Sequence, residues 1–128
     1  MFPKQMYNPS SFTNETDGEG KVTGFSFEMK IQYYRGITLS IIRNIEVEVD
    51  GKFYPRENIR FTVNGETFTL DEMKTVISNR WLFGQYAKVT VLGCALSDGE
   101  HHIRTTQTIA PSYMPMQLVN SGEFDFTI

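Results

Sequence analysis

Cysteine is nearly absent: Cys94 is the only one in 128 residues. That excludes an internal disulfide framework and any site built from several thiolates, and it suits a reducing compartment. An excess of positive charge is also missing. Twelve Lys and Arg stand against fifteen Asp and Glu, a net charge of −3. That balance is a poor footprint for nucleic acid, which wants a basic face, and gives no polybasic patch for anionic lipid. No apolar run is long enough to span a bilayer, and Met1 to Ser10 lacks the apolar stretch of a signal peptide. A cytoplasmic protein that binds neither nucleic acid nor membrane is expected. The acceptor pattern Asn14-Glu15-Thr16 would matter only in a secreted protein.

Catalytic signatures are equally scarce. There is no Gly-x-Ser-x-Gly elbow. Gly18-Glu19-Gly20 lacks the preceding strand and following helix that a phosphate loop needs. Cys94 lies among Leu92, Gly93, Ala95 and Leu96, apolar company that disfavours a thiolate, and reads as a buried structural residue. His101 and His102 are adjacent, so a strand would point them to opposite faces, away from one shared metal. Glu46 and Glu48 share a strand face and read as solvated. No catalytic residue and no metal ligand is assigned.

What the chain does have is hydrophobic alternation, in a sequence 40% hydrophobic and 13% aromatic. It is the size of one domain and long enough to bury a core. Residues 1–23 read as a polar N-terminal arm carrying Tyr7 and Phe12, either frayed or ordered on a partner. From Gly24 the pattern is that of strands. Phe25, Phe27, Met29, Ile31 and Tyr33 alternate with polar residues. Ile37 to Val49 is rich in β-branched residues and changes face once, which predicts a bulge near Arg43-Asn44. Asp50-Gly51 and Asn64-Gly65 predict two-residue hairpins. Tyr86 to Leu92, His101 to Ile109 and Phe124 to Ile128 complete the set. Thr69-Leu70-Asp71-Glu72 fits a capping box, and Met73, Val76 and Ile77 then predict a helix of two or three turns. Seven to nine strands and one short helix argue a single-domain antiparallel β-sandwich over residues 24–128.

Two loops hold residues that interfaces favour: Tyr33-Tyr34-Arg35-Gly36 and Ser112-Tyr113-Met114-Pro115. On residue type alone they serve equally as strand-end packing or as a binding surface. These segments also carry a resemblance. Gly24-Phe25-Ser26-Phe27 leading into Tyr33-Tyr34-Arg35-Gly36, then Val49-Asp50-Gly51, Ile59-Arg60-Phe61 with Asn64-Gly65, and Leu70-Asp71-Glu72-Met73 follow in order. Arg80-Trp81, Gly99-Glu100-His101 and Ser112-Tyr113-Met114-Pro115 continue the series. Over residues 24–115 the chain resembles the small β subunit of bacterial C-glycoside deglycosidases. It departs from that pattern at Ala110-Pro111, where a basic residue is expected.

The resemblance implies a heteromer with a larger TIM-barrel α subunit that holds a divalent metal, Mn²⁺. It implies action on 3-oxo-C-glucosides. The ketone acidifies the C2 proton, a base in the α subunit removes it, and elimination expels the aglycone by breaking a carbon–carbon bond. This chain would hold no cofactor and would be inactive alone. Tyr33, Tyr34, Arg35, Gly36, Trp81, Ser112, Tyr113 and Pro115 are expected at the subunit interface. Two other classes remain: a stand-alone carbohydrate-binding β-sandwich, and an independent enzyme using His101 or Cys94.

Overall fold

The structure, a computed structural model, describes residues 7–30, 37–76, 80–81, 85–93, 95–110 and 116–128. In chain order its strands are β1 (Thr13–Thr16), β2 (Val22–Lys30), β3 (Ile37–Thr38), β4 (Ile42–Val49), β5 (Lys52–Tyr54), β6 (Ile59–Val63), β7 (Glu66–Thr69), β8 (Arg80–Trp81), β9 (Tyr86–Leu92), β10 (Glu100–Ile109) and β11 (Leu118–Thr127). One sheet of five strands runs β1-β2-β9-β6-β7, and one of four runs β11-β10-β4-β5. β3 and β8 pair separately. Neighbouring strands pair antiparallel, and the protein is an all-β sandwich.

Alternation builds the core. Phe25, Phe27 and Met29 of β2, Ala87, Val89 and Val91 of β9, and Ile59, Phe61 and Val63 of β6 are buried on one sheet. Ile45, Val47 and Val49 of β4 and Ile103 of β10 face them from the other. Within the five-stranded sheet β2 and β9 come close at Gly24, where any Cβ would lie 2.0 Å from the Val91 carbonyl oxygen, so only glycine lets β2 reach β9 there. Both predicted hairpins form. Asp50 and Gly51 have φ of 52° and 83°, and Asn64 and Gly65 have 53° and 80°, the left-handed pairs that a two-residue turn requires. The expected bulge is present: Thr108 pairs with Asn44 and Ile109 with Ile42, which leaves Arg43 without an opposite residue.

Three expectations change. The predicted helix is a single 3-10 turn, Glu72–Thr75. Its capping box is real, because Glu72 N–H donates to Thr69 Oγ1 (3.1 Å) and Thr69 N–H donates to Glu72 Oε1 (2.7 Å). The box starts a turn that Val76 then ends in extended conformation, where its carbonyl accepts from Ser40 N–H. The run Leu39-Ser40-Ile41, read as strand, is likewise a 3-10 turn, and β4 begins only at Ile42. The strand count exceeds the expected range, since short β3 and β8 and the N-terminal β1 lie outside the strongly alternating segments.

The stretch read as an arm, 1–23, supplies both a strand and core residues. Tyr7 and Phe12 are buried. Phe12 stacks on Phe126 (ring centroids 4.0 Å apart) and on Phe27 (5.4 Å), so it bridges the two sheets. Tyr7 O–H donates to the Gly122 carbonyl (2.8 Å), which leaves the Thr105 hydroxyl to donate to Tyr7 (2.6 Å). Burial pushes the Tyr7 phenol up to about 12, so it stays protonated. Asn14 clamps Leu96 at both ends, Oδ1 accepting from its N–H and Nδ2 donating to its carbonyl (2.9 Å each). Phe12→Ala should therefore cost about 3 kcal/mol of stability by urea unfolding. A loss near zero would mean that the segment is peripheral.

Candidate functional site

One end of the sandwich gathers the described residues that border 31–36, 77–79, 82–84 and 111–115. β2 ends at Lys30, whose carbonyl accepts from Gln107 Nε2 on the opposite sheet (3.2 Å). Lys30 pairs with Tyr86 at the start of β9, and its ammonium lies 5.1 Å from the centroid of the Tyr86 ring. Trp81 donates its indole N–H to the Gln85 carbonyl (2.8 Å) and pairs with Ile37. Gln85 Nε2 donates to Asn64 Oδ1 (2.6 Å), tying the adjacent hairpin to the same end. On the other sheet, Ala110 N–H donates to the Ile41 carbonyl (2.8 Å), and Ile109 sits opposite Leu118 where β10 gives way to β11. Tyr86 and Met116 are exposed here.

Among the expected interface residues, Trp81 alone falls within the described set. It is buried, with its ring edge-to-face on Phe61 at 5.1 Å. It supports this end from beneath. Tyr33, Tyr34, Arg35, Gly36, Ser112, Tyr113 and Pro115 lie outside the described residues, as do Cys94 and Phe83. Sequence reasoning missed Lys30, Gln85, Tyr86 and Gln107. Only Gln107 carried a signal, as an amide at an inward position of a β-branched strand.

The other end of β10 carries both histidines. His101 is buried, and its Nδ1–H donates to Asp50 Oδ2 (2.6 Å) while Nε2–H donates to the Ser97 carbonyl (2.7 Å). Exposed His102 lies between Asp125 (2.5 Å from Nδ1) and Glu123 (2.7 Å from Nε2). The partners of each ring are oxygens that can accept, an arrangement that favours the doubly protonated form. Asp50, first among the causes, then the Ser97 carbonyl, raise His101. Asp125 and then Glu123 raise His102. Asp50 is lowered by His101 and by the His102 backbone N–H, which donates to its Oδ1 (2.9 Å). A ring with both nitrogens protonated has no lone pair with which to act as a base. This geometry disfavours His101 as the centre of an independent enzyme. Among the described residues no group of three His, Cys, Asp or Glu is arranged to hold a metal.

Residues 2–113 match the sequence profile of the family described as C-glycoside deglycosidase beta subunit. The chain belongs to this family. A protein of that name from Eubacterium cellulosolvens is 37% identical over 114 residues, covering 88% of this chain and 77% of its own. One from Microbacterium trichothecenolyticum is 30% identical over 96 residues, 75% of this chain and 71% of its own. A Microbacterium protein named 3'-dehydrocarminate deglycosidase beta subunit is 28% identical over 94 residues, covering 73% and 71%. The profile spans β1 to β10 and stops before β11.

In this C-glycoside deglycosidase β-subunit chain the histidine end is an electrostatic brace, with a defined pH signature. Groups raised in the fold contribute stability in full below about 6.5 and lose it as pH climbs through their folded values. Asp50, lowered, contributes above about 3.9 and loses that as pH falls through its folded value. Melting temperature should therefore be highest between about pH 4 and 6.5 and decline as pH rises beyond that, and H101Q/H102Q should flatten that decline. A wild-type melting temperature that holds level across the alkaline range would refute the imidazolium assignment.

Proposed function

We propose that this chain is the accessory subunit of a heteromeric C-glycoside deglycosidase, with the chemistry in a larger partner. The match of residues 2–113 to a family named as a β subunit is what carries the reading. The substrate class is a C-glycoside already oxidised at the sugar 3-position. A relative named for a 3'-dehydro substrate supports that choice. A base in the partner takes the C2 proton, and the electron pair expels the aglycone from C1, which breaks the carbon–carbon bond. The divalent metal implied by the resemblance, Mn²⁺, is assigned to the partner's TIM barrel. No step of the reaction is assigned to a metal in this chain.

The partner docks on the sandwich end at Lys30, Tyr86, Ala110 and Met116. Two features support that surface. Gln107 ties the end of β2 to the opposite sheet and the Ile41 carbonyl holds Ala110 within its own, and the surface exposes an aromatic ring beside a cation. Tyr33, Tyr34, Arg35, Gly36, Ser112, Tyr113 and Pro115 belong to segments bordered by these residues, and Tyr and Arg are the residue types on which binding energy concentrates.

Co-expression with the gene product encoded beside this chain tests the reading. A stable heteromer that cleaves a 3-oxo-C-glucoside is expected, with neither chain active alone. Y34A/R35A should weaken assembly at least about tenfold, measured by light scattering on dilution. A chain that stays apart from its neighbour, or a double variant that assembles and turns over normally, would count against the reading or its docking surface, respectively.

A further inference from the structure

Phe53, in the middle of β5, is 64% exposed. Its partner on β4 is Glu48, and Glu48 is in turn the partner of Arg104 on β10. Glu46 and Thr106 form the neighbouring rung. All five face outward, because strand neighbours alternate and Val47, Val49, Ile103 and Thr105 between them are buried. They line a hollow of about 120 Å³ on the outer face of the four-stranded sheet.

The polar heads around this hollow are not spent on the fold. Arg104 has a glutamate opposite it on each side, Glu48 and Glu123. Glu123 turns to His102 instead. Among the described residues no side-chain hydrogen bond or ion pair engages Arg104, Glu46 or Glu48. Thr106 Oγ1 shares a hydrogen bond with Ser121 Oγ (2.9 Å). Two carboxylates and a planar guanidinium thus border one aromatic ring.

This set selects a ligand class by exclusion. A cation would meet Arg104, and an anion would meet Glu46 and Glu48. A flat phenol could stack on Phe53 but would leave most of the charged heads without partners. A pyranose ring satisfies all of them. Its C–H face, weakly positive, lies against the negative face of an aromatic ring. Its vicinal hydroxyls donate to carboxylates and accept from a guanidinium fork. We propose that Phe53, Glu46, Glu48 and Arg104 form a binding site for a neutral pyranose, on a face separate from the proposed docking end.

The test is a titration of the full chain by ¹H–¹⁵N NMR with methyl glucoside, and in parallel with phenol. Methyl glucoside should give saturable amide shifts at Phe53, Glu48 and Arg104 with a Kd of about 1 mM or weaker. Phe53→Ala and Arg104→Ala should each raise that Kd at least about tenfold at unchanged melting temperature, since both side chains are outside the core. No saturable shift, shifts confined to the Lys30–Tyr86 end, or equal shifts with phenol would each overturn the site. So would loss of heteromer assembly in Phe53→Ala, which would make this face a protein interface. The titration uses this chain alone, so failure of the partner reading and failure of the sugar site remain distinguishable.

Discussion

The sandwich depends on the closure of the seam between β1 and β11. Two packed sheets leave their edges apart, and a gap there would admit water to the core. Phe12 and Tyr7 fill it. Phe12 lies against Phe27 of one sheet and Phe126 of the other, and Tyr7 stacks on Phe124 with centroids 5.5 Å apart. The phenol also solves a polar problem. Thr105 sits at a fully buried position of β10, and its hydroxyl is satisfied because Tyr7 accepts from it and donates its own O–H to the Gly122 carbonyl. Apolar area, ring geometry and hydrogen-bond satisfaction meet in one short segment. The Tyr7 hydroxyl engages Thr105 and Gly122, which face each other across β10 and β11.

From that closed core the two ends diverge in character. At one, hydrogen bonds cross from sheet to sheet through Gln107 and hold strand termini in place. At the other, charge dominates. Asp50, in a left-handed turn, accepts from the His101 ring and the His102 backbone, so one carboxylate fastens a hairpin tip to the start of β10. The acid pair around His102 belongs to the same balance. A charge-braced end and a backbone-anchored end are different materials. The second keeps its geometry when pH or salt changes, a property suited to docking.

Much of the fold was legible in the residues. Strict alternation in β2, β6, β9 and β10 stated both strand identity and inward face. Asp50-Gly51 and Asn64-Gly65 stated turn type, because few residues tolerate positive φ. The failures have physical causes. Thr69 to Glu72 carries a true capping box, but a cap stabilises only the first turn, and the tertiary bond from Ser40 to Val76 ends the element there. The N-terminal segment reads as frayed or as ordered on a partner because its aromatics are isolated among polar residues. Isolation in sequence says nothing about what a side chain meets across the fold, and Tyr7 and Phe12 meet β11. The site was legible mainly through family pattern. Tyr86 looked like an ordinary strand residue, and its pairing with Lys30 exists only once β2 and β9 adjoin.

The Tyr7 hydroxyl contacts partners 98 and 115 residues further along the chain. Synthesis runs from the N-terminus, so the segment that emerges early acquires its partners only when β10 and β11 have followed. Until then Tyr7, Phe12 and the inward face of β2 share a core that has no second wall. Such non-local closure makes folding slow and leaves apolar surface open to other chains in the meantime. A protein that completes its own sandwich last has a long nascent interval in which chaperone cover, or prompt contact with another subunit, decides its yield.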